Sequence, residues 1–260
     1  MKKILFFVFS LSVSLGISAQ ESVETDSISQ KETTKNEGDN AFMKNDYTSA
    51  IQIYEALLGE GEAAEVYYNL GNSYFKADNI GKAIVNYERA LLLQPENEDI
   101  RVNLEIARSK TVDKIDVIPD IFFVSWIKDW RNSKSVDTWG KCGIVFFILF
   151  VVALYFFVFS KKTISRKSGL IGGFFFLIVV IVANVFALQQ KTMFLNHDTA
   201  IVVSPGVTVR NTPSDSGTSL FILHEGSKVL ISDGSMKEWK KIRLEDGKVG
   251  WVPTSDIEII

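Results

Sequence analysis

The residue types that most often carry catalysis or metal binding are scarce in this chain: two histidines, His197 and His224, and one cysteine, Cys142. Nucleophilic or acid–base catalysis needs such a group beside a serine, a thiol or a carboxylate that activates or orients it. His197 next to Asp198 reads as a surface turn, and no serine–acid arrangement completes a triad with His224. A structural zinc takes four Cys or His ligands in paired spacing, more than these three residues supply. A lone cysteine forms no intramolecular disulfide, so the chain relies on ordinary burial. The run Gly169-x-x-Gly172-Gly173 is no phosphate loop, because it lies within an apolar stretch. Glycines there permit close helix packing, and Gly169 with Gly173 makes a GxxxG pair. The reading is therefore non-enzymatic, with no cofactor, no metal and function through binding.

The elements that would position a binding site are dominated by two apolar runs, Cys142–Phe159 and Gly169–Leu188, neither holding a charged residue. At 1.5 Å rise per residue each spans roughly 27–30 Å, the thickness of a bilayer core. Residues 160–168 between them carry Lys161, Lys162, Arg166 and Lys167 and no acid. So short a loop makes an antiparallel hairpin, and the positive-inside bias assigns the loop to the cytoplasm and both flanks to the outside. Neither run contains an acid or base, which argues against an ion or proton path. Asn184 lies near the outer end of the second run and reads as reaching the interface.

The start of the chain agrees. Met1-Lys2-Lys3 precedes an apolar stretch from Ile4 to Ile17 and the small residues Ser18-Ala19. Residues 1–19 read as a signal peptide cut after Ala19, or as an uncleaved anchor. Residues 20–35 are polar without apolar period and read as a flexible lead-in. From Glu21 to Lys110 the net charge is about -8, which argues against nucleic acid, whose phosphates need basic partners.

Residues 36–110 are helical in pattern and self-similar. Gly38, Ala50, Tyr54 and Leu57 recur 33 residues later as Gly71, Ala83, Tyr87 and Ala90. Tyr67, Leu70, Gly71 and Tyr74 share one helix face, and the small Gly71 and Ala83 let paired helices approach where the aromatics interlock. Pro95 ends the second helix of that copy. The pattern resembles tetratricopeptide repeats, at about 36–63 and 64–97, with 98–110 as a capping half-repeat. Two and a half units are few for a stable stack, so the array is expected to lean on a neighbour.

That resemblance implies a concave groove lined by Lys35, Asp39, Phe42 and Met43, then Glu65, Tyr68, Asn72, Phe75 and Lys76. Asn72 and Lys76 are one turn apart and would together hold a backbone amide or a carboxylate. Asp39 favours a partner that is neutral or basic there. The alternative is an ordinary solvated helix face.

Residues 111–140 interleave Phe122, Phe123, Trp126, Ile127, Trp130 and Trp139 with charges. They read as a segment lying on the outer face of the bilayer, or as a short helix packed on the repeats. From Thr199 the pattern becomes five or six short strands broken by Glu225-Gly226, Asp233-Gly234 and Asp246-Gly247, the makings of a small closed barrel. The order Val-Thr-Val-Arg, Glu-Gly, Trp-Lys-Lys-Ile and Gly-Lys-Val-Gly-Trp-Val over 199–260 resembles the bacterial SH3-like domain. That resemblance makes Trp251 a candidate ligand residue and Trp239 a core one.

The expected fold is a multi-domain membrane protein: an all-α tetratricopeptide repeat domain, a two-helix transmembrane hairpin and a small all-β SH3-like barrel. This order of parts, with the run Asn103-Leu104-Glu105-Ile106-Ala107-Arg108, resembles the BatE proteins of Bacteroides-type aerotolerance operons. The resemblance implies a membrane-anchored scaffold of an envelope or oxidative-stress complex. It would sit in a bacterial inner membrane with both soluble domains periplasmic, beside von Willebrand A-domain membrane proteins. Peptidoglycan binding, or targeting of a cell-wall hydrolase, is the alternative.

Overall fold

The computed structural model describes residues 34–114, 121–196 and 198–260. The expected signal peptide, residues 20–33 of the lead-in, residues 115–120 and His197 lie outside them. Thr34 and Lys35, expected in the lead-in, are already helical.

Among the described residues five helices come first: α1 over residues 34–43, α2 Tyr47–Gly59, α3 Ala64–Lys76, α4 Ile80–Leu93 and α5 Glu98–Ser109. Their ends repeat as their faces do. Asp46 caps α2 by accepting from Ser49 N at 3.1 Å, and Asn79 caps α4 by accepting from Lys82 N at 3.1 Å. Each satisfies an amide that the helix itself leaves unpaired. Asn45 and Asp78, just past α1 and α3, both have φ 61°, a conformation these two residue types tolerate. A methyl group on Gly38 would stand 2.7 Å from the Tyr54 ring, and one on Gly71 would stand 2.7 Å from Tyr87. Glycine is therefore what lets each tyrosine lie flat against the neighbouring helix. The helices form two layers, α1, α3 and α5 in one and α2 and α4 in the other.

Next come α6 Phe122–Asn132, α7 Val136–Phe159 and α8 Thr163–Asn196. The last two are antiparallel, and only residues 160–162 separate them. Both helices outrun their apolar stretches, taking in much of the expected basic loop and residues 189–196, because helical hydrogen bonds continue through polar sequence. Both are long and apolar enough to cross a membrane, and only 11% of the α7 window and 17% of the α8 window is buried. At Gly169 an added methyl would meet Ala153 O and Phe157 N at 2.7 Å, so this glycine brings α8 against the backbone of α7.

The C-terminal part is one antiparallel sheet of seven strands: β1 Thr199–Val202, β2 Gly206–Arg210, β3 Ser219–His224, β4 Lys228–Asp233, β5 Trp239–Arg243, β6 Val249–Pro253 and β7 Ile257–Ile259. Their order is β3-β2-β6-β5-β4-β1-β7. The ladder thus ends at β3 and β7, with closure into a barrel not among its pairings. One apolar cluster nevertheless draws on every strand, through Val202, Val209, Leu223, Val229, Ile242, Val252 and Ile257. The sheet therefore curls around its own core. At Gly250 a methyl would meet Val209 Cγ1 at 2.3 Å, so glycine is required where β6 crosses β2.

β1 is buried on both faces. Ala200 and Val202 enter the sheet core, while Ile201, with no exposed surface, joins the core of the repeats together with Ile260. The unbroken apolar run at residues 200–203 follows from this double burial, as in strands covered on both sides.

Candidate functional site

The first-layer face of the repeats contains most of the expected groove positions, and much of it is tied up internally. Asp39 accepts from Tyr54 Oη at 2.5 Å and from Asn69 Nδ2 at 3.0 Å. Asn72 accepts from Tyr87 Oη at 2.7 Å and from Asn103 Nδ2 at 3.1 Å. The same trio recurs one repeat on: a tyrosine from the paired helix and an asparagine from the next first-layer helix converge on one oxygen. Burial, with Asp39 beside it, pushes the Tyr54 hydroxyl well above its ordinary range, so it stays a donor.

The remaining positions are distributed as follows. Lys35 binds Glu65 at 2.7 Å and Asp39 at 3.2 Å, and the Glu65 bond foremost raises its pKa against the opposing effect of burial. Phe42 stands edge-on to Tyr47. Tyr68 accepts from Asn103 Nδ2 at 2.8 Å, and Phe75 lies 4.3 Å beneath Lys110 Nζ. Lys76 and Met43 are exposed. Two residues escaped the sequence reading: Val102 and Ile106 are 53% and 46% exposed on α5. They hold the places of Tyr68 and Asn72 one unit on, a 34-residue shift that would have revealed them. The open face thus offers Met43, Phe75, Val102 and Ile106 as apolar contacts, with Lys76 and Lys110 beside them.

Of the second layer, α4 is covered, whereas α2 keeps Thr48, Gln52, Glu55 and Ala56 exposed. The turn between β3 and β4 and the strands β1 and β7 pack on α4. Glu225 Oε1 accepts from Gly81 N at 2.6 Å, so a carboxylate from the sheet serves the amino end of α4, where the helix dipole favours negative charge. A methyl on Gly81 would meet Glu225 Cγ at 2.8 Å and Val202 O at 3.0 Å, and one on Gly226 would meet Thr111 Cγ2 at 2.5 Å. Glu88 of α4, with 9% of its side chain exposed, joins Arg108 of α5 and lies 3.0 Å from Lys228 Nζ of β4. Burial opposes its ionisation, but the Lys228 and Arg108 charges outweigh that and hold the carboxyl below its ordinary range. Arg89 binds Glu258 at 2.9 Å and the Ile259 carbonyl at 2.6 Å.

The chain leaving α5 is fastened to the same turn. Asp113 accepts from His224 N at 2.6 Å and Ser227 Oγ at 2.5 Å, and lies 2.8 Å from His224 Nδ1. Burial raises its pKa, and the Ser227 and His224 bonds more than reverse this. The Ser227 hydroxyl meets the acid rather than the imidazole. Trp251 lies opposite Gly250 and Val252 on the outer side of β6, half-buried, with Lys241 Nζ 6.0 Å from its ring. Trp239 is also half-buried. Among the described residues no three His, Cys, Asp or Glu side chains converge as a metal site requires.

Helices α3 and α4 form a two-layer pair with a Gly71–Tyr87 interlock. Residues 64–97 match the tetratricopeptide repeat family. No curated protein matches the chain. A tetratricopeptide repeat implies protein partners in general.

Proposed function

We propose that the chain is a non-catalytic, membrane-anchored scaffold that binds a protein partner on the open first-layer face of its repeats. The carrying observation is that the sheet seals α4 while the face with exposed Met43, Val102 and Ile106, and the half-buried Phe75, is left open. Two features support the membrane anchor. The apolar windows of α7 and α8 are scarcely buried, unlike core helices. The flanks of the hairpin also touch each other through Glu88–Lys228 and Asp113–His224, so both lie on one side of any bilayer the hairpin crosses. With the basic residues 161–167 inside, that side is the periplasm of a bacterial inner membrane. In the BatE-like reading the partners are von Willebrand A-domain membrane proteins of an envelope or oxidative-stress complex.

The test is a Val102→Asp, Ile106→Asp double variant, exposed positions whose change leaves the fold intact. Crosslinking in intact membranes should then recover less of the von Willebrand A proteins than the parent chain does. Undiminished recovery with unchanged helix content sinks the reading.

A second reading rests on Trp251, an outward aromatic beside Lys241 and Arg210, as a contact for peptidoglycan. Sacculi should retain the full-length chain in detergent and lose it on Trp251→Ala.

A further inference from the structure

Helix α6 carries its four aromatic side chains and Ile127 on one face, at spacings of one, three and four residues, with the half-buried Val124 outside it. Phe122, Phe123, Trp126, Ile127 and Trp130 are 85%, 58%, 60%, 42% and 46% exposed, whereas Lys128, Asp129, Arg131 and Asn132 fall elsewhere on the helix. Contact with the rest of the chain is made at its carboxyl end. Trp130 packs 5.3 Å from the Phe186 ring and 5.9 Å from Trp139, which itself stands edge-on to Phe186 at 5.1 Å. The Arg131 carbonyl accepts from Trp139 Nε1 at 3.0 Å and from Gln190 Nε2 at 2.9 Å, and Gln190 also donates to the Lys134 carbonyl at 2.6 Å. The donors to Arg131 satisfy a carbonyl that the end of α6 leaves unpaired, and the bond to Lys134 holds the segment that follows it. They fix α6 at the level where the apolar run of α8 ends.

We infer that α6 lies in the headgroup layer of the bilayer as an interfacial helix, its aromatic face turned into the lipid. The inference rests on the membrane-spanning reading of α7 and α8. The occupant follows from continuity. The α6 face runs through Trp130 into Phe186, whose neighbours Val185 and Leu188 are 42% and 64% exposed on the hairpin surface. A surface that continues a lipid-facing girdle at its rim meets the same lipid. Indoles and a mixed polar back suit that depth, where one side of the helix is apolar and the other wet.

The experiment uses the full chain with Cys142→Ser, reconstituted in phosphatidylcholine vesicles and labelled with an environment-sensitive fluorophore at Trp126→Cys. Phe123→Cys serves as a second site and Asp129→Cys reports the polar side. Positions 126 and 123 should show blue-shifted emission, quenched more by a nitroxide at the headgroup end of the acyl chain than by one at its methyl end. Position 129 should be quenched by aqueous iodide. Iodide quenching at 126 and 123 equal to that at 129 overturns the inference. Protection of 126 and 123 from both iodide and lipid nitroxides overturns it in favour of a protein contact. Stronger quenching by the deeper nitroxide overturns it as well, because the segment is then inserted. A label at Val151→Cys separates the two readings: without deep-nitroxide quenching there, the hairpin assignment itself fails.

Discussion

Asn103 of α5 donates to Asn72 of α3 across 3.1 Å, the bond that Asn69 gives Asp39 one unit earlier. Each acceptor also receives a tyrosine hydroxyl from the second layer, so two helices of one repeat and the first of the next meet on a single oxygen. The position serves the stack before it serves any partner.

Replacing Asn72 therefore tests stability as well as binding. Asn72→Ala strands the hydroxyl of Tyr87, a residue 1% exposed, and should lower stability by about 1–3 kcal/mol. Asn72→Asp recreates the Asp39 arrangement and should cost less. Thermal unfolding followed by circular dichroism ranks the two, and equal effects would remove the acceptor role.

Gly81 separates the seam from ordinary helix propensity. Ala in place of Gly within a helix stabilises by about 0.5–1 kcal/mol where space allows. Here the methyl meets Val202 O at 3.0 Å and Val203 Cα at 3.2 Å, backbone atoms that cannot swing aside. Gly81→Ala should lower the melting temperature, while Thr48→Ala at the matching exposed place in α2 should leave it nearly unchanged.

Glu88 links the repeats to the sheet through Arg108 and Lys228. Glu88→Gln leaves those cations without their shared acid and should cost about 1–3 kcal/mol. The loss stays below that of a fully buried pair because their side chains remain 38% and 35% exposed. Repeats and sheet should melt in one transition before and after the change, read by far-ultraviolet dichroism and tryptophan fluorescence. Separate transitions in the parent chain would show that the seam is weak.

Acid should loosen the same seam. Glu88 and Asp113 are held below their ordinary carboxylate values, so the native state favours their ionised forms. Their contribution is present above about pH 4, where the unfolded carboxyls titrate, and is lost as pH falls through the lower folded values. A melting-temperature profile from pH 6 to pH 3 should drop on the acid side, and Asp113→Asn should flatten it.

The helical start and the antiparallel end of the fold were legible because each has a periodic signature, and the two apolar helices because of their length and lack of charge. Gly38 and Gly71 announce the interlock with Tyr54 and Tyr87 by their spacing. The seam has no period. Nothing near Gly81 in the chain signals that Glu225 will serve its amide, and the three residues of β7 are too few to show alternation. The run at residues 200–203 did hold a clue, since a strand apolar on consecutive positions has two faces to bury. At the groove the family pattern names positions on the first-layer helices, but pattern alone does not distinguish an acceptor already in use at Asn72 from a free one.

The closing pieces of the repeat core are made last. Ile201 and Ile260 follow both long helices in the chain, so a ribosome delivers Ile84 and Val85 well before the strand that shields them. During that interval the repeats are a half-built body with a bare flank, the kind of surface that chaperones hold and proteases remove. A transcript truncated after Asn196 would yield the anchor and the repeats yet leave no durable product. Order of synthesis is thereby part of how this molecule is assembled.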